Sequence, residues 1–343
     1  MDTIGLDLHK RESQLCVLTE AGEILERRMV TSRERFTAVL GGRAPARILL
    51  EASTESEWVA RHLESLGHAV IVADPNFAPM YATRRRGVKT DRRDARTLAE
   101  ACRLGAYRLA HRASDAQRHV RAELAVRDAL VTTRTRYVAV IKALVRRDGL
   151  RLPSGNAEPT ERKLVALALP PVLATELAPL RELWEPLGEQ LVRANDRLAA
   201  VAAADPRVQQ LMTAPGIGPV TAVAFVATLD DVARFRDAHQ VAAYLGLTPR
   251  EYSSGERQQR GRISKTGNVR MRYLLVEAVW RVVRSKDERA TSLRAWAAQL
   301  AARRGPSRAA VALARRLAGI LYAMWRDGRD YRAPRSREVA ATA

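Results

Sequence analysis

Cysteine is scarce in this sequence, which holds only Cys16 and Cys102 in 343 residues. Neither is spaced from another cysteine or a histidine as zinc ligands are, and disulfide-framed domains carry many more cysteines. The sequence therefore predicts neither a zinc site nor a disulfide framework. Hydrophobic residues make up 47% of the chain, which is enough for an ordinary apolar core.

Long apolar runs are absent, and so is a charged segment followed by an apolar leader. No stretch approaches the roughly 20 apolar residues of a membrane span. The chain enters a strand-like pattern, TIGLDL, within its first residues. The sequence thus predicts a cytosolic protein with no membrane partner.

Acidic residues are few relative to basic ones. The chain holds 58 Lys and Arg against 38 Asp and Glu, which gives a net charge of +20 and a pI near 11. Only six of the cations are lysine. A GC-rich genome produces that bias toward arginine by itself, but it does not explain the excess of cations over anions. A polyanionic partner is favoured, and nucleic acid is the leading candidate for a cytosolic chain.

The first hundred residues predict a mixed α/β domain. Strand and helix patterns follow in the order β-β-β-α-β-α-β-α, and the last helix begins near Asp91 with Thr90 as its N-cap. Three strands at hairpin spacing, followed by alternating helices and strands, are typical of a ribonuclease-H-like fold. The Gly-rich first turn of a dinucleotide-binding domain is missing from GLDLHK, which argues against that fold.

Beyond about residue 114 the strand signals disappear and helical patterns dominate. The predicted domains are an α/β domain at 1–108, a helical or coiled-coil arm at 109–205, a helical domain at 206–332 and a flexible tail at 333–343. The arm is either a spacer or a platform for dimerisation or nucleic acid, and the sequence favours neither strongly.

Four acidic residues of the first domain are candidates for a metal site. Asp7 interrupts an apolar strand, Glu51 ends the fourth strand, and Asp91 and Asp94 share a face at the start of a helix. The first and fourth strands are neighbours in a ribonuclease-H-like sheet, so these carboxylates would converge and repel one another. Oxygen ligands favour Mg²⁺ or Mn²⁺, which relieve the repulsion and can promote phosphodiester cleavage. Any one of these acids alone is more often solvated than catalytic, although an unpaired carboxylate in a buried strand is costly.

Basic and glycine-containing stretches supply candidate phosphate contacts. RRRGVKTDRRDAR, residues 84–96, surrounds the acidic pair with cations. PGIGPVTA, residues 215–222, resembles a helix-hairpin-helix turn whose backbone N–H groups approach phosphate. The alternatives are a solvated helix face and a plain interhelical turn. The candidate nucleic-acid contacts are Arg84, Arg85, Arg86, Lys89, Arg92, Arg93, Gly216, Gly218, Arg257, Arg260, Arg262 and Lys265.

The stretch EYSSGERQQRGRISKTGN, residues 251–268, carries a serine pair, a glycine directly after it and several cations. A serine hydroxyl is a poor nucleophile without an activating group. The closest histidine in sequence, His239, has no obvious orienting carboxylate, so a hydrolase triad is unsupported. The residues alone favour a loop that contacts phosphate.

Six stretches in this order resemble the DEDD transposases of the insertion-sequence group related to Piv-type DNA invertases: GLDLHK, LEAS, KTDRRDA, PGIGPVTA, YLGLTPREYSSG and GRISKTGN. The resemblance extends from about residue 3 to 330. It implies a RuvC-like N-terminal domain whose DEDD tetrad, Asp7, Glu51, Asp91 and Asp94, binds Mg²⁺ or Mn²⁺. It also implies a C-terminal transposase domain with a nucleophilic serine, and the serine directly before glycine, Ser254, matches that position.

The resemblance further implies a structured bridge RNA, encoded by the element itself, that pairs with donor and target DNA. It implies dimers that synapse into tetramers on DNA, in the prokaryotic cytoplasm at the nucleoid. Three hypotheses stay open. The first is a recombinase with a covalent serine–DNA intermediate. The second is a RuvC-like junction nuclease or invertase that uses water as the nucleophile. The third is a non-enzymatic nucleic-acid binder, which the complete acidic set argues against.

Overall fold

The computed structural model describes residues 1–82, 90–153, 160–251 and 260–333, except for the side chain of Arg260. The chain divides into two compact units, Met1–Ala113 and Ser114–Ala343. The first is mixed α/β and the second is largely helical, as the sequence predicts. The finer boundaries at residues 108, 205 and 332 stay predictions. Across the described ranges, no helix is both long enough and apolar enough to cross a bilayer.

The elements of the first unit follow the predicted order. They are β1 (Thr3–Leu8), β2 (Glu12–Leu18), β3 (Ile24–Val30), α1 (Arg33–Leu40), β4 (Arg47–Glu51), α2 (Ser56–Ser65), β5 (Ala69–Ala73), a 3₁₀ turn (Ala78–Tyr81) and α3 (Asp91–Leu104). Helix α3 begins at the predicted residue, and the Thr90 side chain caps it by accepting a hydrogen bond from the Arg93 N–H at 3.4 Å.

The five strands found in the described part of this unit form one sheet in the order β3-β2-β1-β4-β5. β1 is antiparallel to β2 and parallel to β4, with Gly5 opposite Cys16 on one side and Leu49 on the other. The predicted adjacency of the first and fourth strands is therefore confirmed. One face of the sheet carries Ile4 and Ile48 into a core shared with α1 and α2, and the opposite face packs on α3.

Helix α3 lies directly against the backbone of β1 at Gly5. A Cβ atom on Gly5 would overlap the carbonyl oxygen of Ala95 and the amide nitrogen of Ala99. Both alanines are fully buried there together with Cys16. Because Gly5 precedes Asp7 by two residues and Ala95 follows directly after Asp94, this contact places the first turn of α3 beside the end of β1.

The second unit is built around a helix that is buried on all sides. Its helices are α4 (Asp115–Arg147), α5 (Thr160–Val165), α6 (Pro171–Glu182), α7 (Trp184–Ala204), α8 (Pro206–Met212), α9 (Pro219–Leu229), α10 (Ala238–Tyr244), α11 (Val269–Arg284), α12 (Thr291–Arg304) and α13 (Pro306–Asp327), with 3₁₀ turns at Val232–Arg234 and Glu288–Ala290. The residues of α9 from Thr221 to Leu229 are all buried, as expected for a helix without a polar face. Helices α4, α7, α8 and α11 pack around it.

The long helix α4 runs beside α7. Arg127 donates from Nε to Asn195 Oδ1 at 2.6 Å, and Arg197 pairs with Glu123 at 2.7 Å. Both helices lie within the predicted helical or coiled-coil arm, residues 109–205, whose bounds and role stay predictions.

A short two-stranded ribbon interrupts the helices of the second unit. β6 (Pro249–Glu251) and β7 (Arg260–Ile263) pair antiparallel, with Pro249 opposite Ile263. The sequence predicts only a loop here, because strands of three and four residues in a polar stretch leave no periodic signal. The residues between these strands, 252–259, lie outside the described ranges.

We expect Gly5→Ala to destabilise the first unit, because the added methyl group must push α3 away from β1. Overpacking of this kind costs about 1–3 kcal/mol or more of unfolding free energy, measured by urea denaturation of the full chain. Gly42→Ala is the matched control, since a Cβ there meets no atom within 4 Å. Equal midpoints for Gly5→Ala and Gly42→Ala would contradict the close contact.

Candidate active site

Two carboxylates lie at the carboxyl ends of the neighbouring parallel strands β1 and β4. Gly5 of β1 lies opposite Leu49 of β4. Asp7 follows Gly5 by two residues, and Glu51 follows Leu49 by two residues. Side chains two residues apart on a strand project from the same face. Asp7 and Glu51 therefore project on the face that packs on α3.

Helix α3 supplies the other two carboxylates from its first turn, Asp91 and Asp94. Acidic side chains are favourable at this end of a helix because they complement its dipole. Asp7 interacts electrostatically with Asp94, Asp91 and Glu51. The structure thus brings together the four acids that the sequence singles out, although their catalytic and metal-binding roles stay predictions.

Burial raises the pKa of Asp7 to about 6. His9 opposes the rise in the pKa, while Asp94, Asp91 and Glu51 add to it by like-charge repulsion. The Asp7 side chain is only 13% exposed. A desolvated carboxylate surrounded by others is a common feature of sites that bind a cation or transfer a proton.

His9 lies beside the acids, although the sequence pattern predicts no role for it. Its Nε2 atom lies 3.4 Å from Asp7 Oδ2 and 3.6 Å from Asp91 Oδ1. The ligand atoms of these three residues all lie within 4.8 Å of one another. The signal was present in GLDLHK, where the histidine follows the aspartate by two residues, but spacing alone cannot say which way a residue in the turn after β1 points.

Tyr81 is a second residue that the sequence does not reveal. Its hydroxyl donates to Glu51 Oε1 at 2.6 Å and also lies 3.3 Å from the Pro75 carbonyl oxygen. It lies in the 3₁₀ turn after β5, and no pattern connects it with Glu51. The hydrogen bond fixes the orientation of the Glu51 carboxylate.

The donor set fits a hard divalent cation. The ligand atoms of Asp7, His9 and Asp91 lie close enough together to share one ion, while Asp94 and Glu51 act on Asp7 electrostatically. Carboxylate oxygens are the ligands that Mg²⁺ and Mn²⁺ prefer, and the imidazole adds a nitrogen donor that transition metals accept. A cation there would offset the repulsion that helps to raise the pKa of Asp7.

Comparison with known proteins covers both units. A family model described as "Transposase", of the DEDD IS110 type, matches residues 4–147, and one described as "Transposase IS116/IS110/IS902 family" matches residues 208–294. A probable family 20 transposase of Pseudomonas aeruginosa is 32% identical over 94% of this chain and 96% of its own length.

The transposase for insertion sequence element IS1111A of Coxiella burnetii is 29% identical over 96% of this chain and 91% of its own length. The transposase for insertion sequence element IS1328 of Yersinia enterocolitica is 29% identical over 95% of this chain and 97% of its own length. This chain belongs to the IS116/IS110/IS902 family of DEDD transposases. It is therefore a DNA transposase, and the family implies use of a divalent metal ion.

The predicted phosphate contacts of the transposase are placed in part. Arg92 forms an ion pair with Glu26 and Arg93 is exposed, both on the first turn of α3. The candidates that precede α3 lie outside the described residues: Arg84, Arg85, Arg86 and Lys89.

The glycines of PGIGPVTA have different surroundings. Gly216 has φ 76°, and a Cβ there would lie 2.7 Å from the Ala278 carbonyl oxygen, so it serves the packing of the turn on α11. Gly218 is the N-cap of α9, and the nearest atom to a Cβ there is Arg281 Nη1 at 3.7 Å. Gly218 is thus the more open of the two predicted phosphate contacts.

The serine stretch of the transposase is described only at its ends. Ser253, Ser254 and Arg257 lie outside the described residues, and so does the side chain of Arg260. Arg262 is exposed within β7, and Lys265 is exposed just after it.

The segment that follows the ribbon is anchored by a buried arginine. Arg272 donates from Nη1 to the carbonyl oxygens of Leu245 and Thr266 at 3.0 and 2.9 Å. A Cβ on Gly246 would overlap the Thr266 carbonyl oxygen, so the two backbones lie in contact. The carboxyl-terminal flank of the serine stretch is therefore fixed to the end of α10.

We expect Asp7→Asn to stabilise the metal-free transposase at neutral pH. The pKa of Asp7 rises from 3.8 to about 6 on folding, so the folded state holds the proton more tightly. The loss of unfolding free energy that this causes is absent below about pH 3.8 and complete above about pH 6. The expected gain in unfolding free energy is on the order of 2 kcal/mol at pH 7.5, declining toward zero at pH 4. Urea denaturation in EDTA measures it.

Asp74→Asn is the control of opposite sign. The Asn76 backbone N–H and the Arg108 side chain hold the pKa of Asp74 below its usual range. Asp74 therefore contributes stability that is present at neutral pH and lost as the pH falls. A gain in unfolding free energy for both variants would contradict the opposite pKa shifts of Asp7 and Asp74. So would a gain for Asp7→Asn that does not depend on pH.

Proposed function

We propose that this transposase cuts and rejoins the DNA strands of an insertion sequence at a metal-dependent centre formed by Asp7, Glu51, Asp91 and Asp94. The observation that carries the proposal is that Asp94, Asp91 and Glu51 all act electrostatically on a mostly buried Asp7 whose pKa is raised. A site of this kind is unfavourable in the absence of a cation, so it fits a functional role better than a structural one.

We infer that the first unit is a ribonuclease-H-like, RuvC-like domain. The sheet order β3-β2-β1-β4-β5, with β2 antiparallel to β1 and β4 parallel to it, supports the inference. So does the position of α3, which crosses the face that carries Asp7 and Glu51.

The four acids would hold the ion, and Tyr81 keeps the Glu51 carboxylate oriented. Mg²⁺ or Mn²⁺ bound there would supply positive charge that favours attack on phosphorus and departure of the leaving oxygen. The low exposure of Asp7 keeps water away from one carboxylate and strengthens its electrostatic interactions.

We propose Ser254 as the nucleophile, on the resemblance of EYSSG to the family's serine position. Its Oγ forms a bond to phosphorus while the ester bond to the departing strand breaks. The Oγ proton is lost, and the departing oxygen takes one up. The reverse step, with a hydroxyl of the new strand, restores serine and a phosphodiester, so cutting and rejoining need no external energy source.

The excess of cations supports DNA and a structured bridge RNA as partners. We propose that the RNA guides target choice, that the paired helices α4 and α7 help in assembly and RNA holding, and that dimers synapse into tetramers on DNA. Exposed apolar residues on these helices, Val126, Val140 and Val192, are available for such contacts. The cytoplasm, at the nucleoid, is where these partners meet.

We expect Ser254→Ala to abolish strand cleavage and the covalent adduct while DNA and RNA binding persist. The assay uses end-labelled element DNA with RNA transcribed from the element's non-coding end, and the adduct is detected by a gel shift that survives denaturation. Ser253→Ala is the matched control and should keep both activities. An adduct in Ser254→Ala would exclude the nucleophile role, and cleavage without any adduct in the wild type would favour a water-using nuclease.

We expect Tyr81→Phe to lower the rate of cleavage by about 10–100-fold, the usual effect of losing a group that orients a metal ligand. The change removes one hydroxyl and leaves the Glu51 carboxylate in place. Tyr107→Phe is the control, because the Tyr107 hydroxyl accepts from Arg47 Nη2 at 3.0 Å and not from an acid of the site. Equal rates for both variants would show that the bond to Glu51 has no role in cleavage.

A further inference from the structure

His9 lies at the solvent side of the acidic site. Its side chain is 55% exposed and that of Asp91 is 58% exposed, whereas Asp7 is mostly covered. An ion that enters from solvent therefore reaches His9 and Asp91 before it reaches the desolvated carboxylate.

The distances fit ligands that share one ion better than a hydrogen bond. N–H···O hydrogen bonds span about 2.7–3.2 Å, whereas Nε2 of His9 lies 3.4 and 3.6 Å from the two carboxylate oxygens. Metal bonds to imidazole nitrogen and carboxylate oxygen are about 2.1 Å long, so ligands at 90–110° around one ion are roughly 3.0–3.4 Å apart. Both distances from Nε2 are within a few tenths of an ångström of that range.

Thr31 holds the backbone of His9 in place through a hydrogen bond. The Thr31 hydroxyl donates to the His9 carbonyl oxygen at 2.8 Å, and Thr31 Oγ1 lies 2.6 Å from the hydroxyl of the buried Ser13. The Thr31 N–H also donates to the Arg11 carbonyl oxygen at 2.9 Å. The turn between β1 and β2 is thus fixed at His9 and at Arg11, which reduces the backbone entropy that is lost when the His9 side chain binds an ion.

We propose that His9 is a nitrogen ligand of the catalytic metal, and that it biases the site toward divalent transition-metal ions such as Mn²⁺ over Mg²⁺. The inference rests on the proposed metal centre and adds a residue outside the four acids. Mg²⁺ is bound almost wholly through oxygen, while an imidazole ligand contributes more affinity to transition metals.

The alternative role for His9 is that of a competing cation. A protonated imidazole between Asp7 and Asp91 would occupy the place of the metal, and its removal would then strengthen metal binding. A ligand has the opposite effect, because its removal weakens binding. The two roles therefore predict opposite changes in metal affinity when His9 is replaced.

The test uses Mn²⁺ as the probe and the full-length chain without DNA. Pulsed electron paramagnetic resonance detects a nitrogen nucleus bonded to Mn²⁺, and titration of the free-ion signal gives the affinity. We expect nitrogen coupling in the wild type, loss of that coupling in His9→Gln, and an affinity for Mn²⁺ about tenfold weaker or more. Mg²⁺ should also displace Mn²⁺ more readily from His9→Gln than from the wild type.

His119→Gln is the matched control, since His119 is exposed on α4 in the second unit. It should keep the nitrogen coupling and the wild-type affinity. Mn²⁺ bound to the wild type in an Asp7-dependent way but without nitrogen coupling would overturn the role of His9 and leave the acidic centre standing. No Asp7-dependent binding would overturn both. If His9→Gln fails to fold, His9→Asn and the wild-type spectrum decide the question.

Discussion

The contact between the backbones of α3 and β1 at Gly5 is the constraint on which the site depends. A side chain at this position would separate the two elements, and the first turn of α3 would then move away from the ends of β1 and β4. The acids come from three elements that are far apart in sequence, so their convergence requires one fixed distance between helix and sheet. The smallest residue on the strand and two alanines on the helix set that distance.

The close approach has an electrostatic consequence. Burial of Asp7 and the carboxylates around it oppose ionisation, so the metal-free site works against the stability of the first unit at neutral pH. The apolar core below it, which extends through α1 and α2, compensates for this. The Thr90 cap and the Tyr81 hydrogen bond hold the acids in place while they repel one another. A divalent ion bound there would offset this repulsion.

Much of the first unit could be predicted because its elements follow simple patterns. Apolar strands and the Thr90 cap indicate the element order and the start of α3, and that order implies that Asp7 and Glu51 are neighbours. His9 and Tyr81 could not be found in this way, since the direction of a side chain in a turn depends on contacts such as the one from Thr31. The ribbon of β6 and β7 could not be predicted, because strands of three and four residues are too short to show a periodic pattern.

The proposed chemistry is divided between the two units, which has a physical advantage. The acids belong to the first unit and Ser254 to the second, so neither unit alone holds both a nucleophile and the charge that activates it. A serine hydroxyl near its ordinary pKa is inert toward phosphodiesters, and a metal centre without a nucleophile does not form a covalent intermediate. On this proposal, cleavage requires DNA that contacts a first unit and a second unit, which belong either to one protomer or to two. A target that engages only one unit would then meet either the acids or the serine but not both, and would be left uncut.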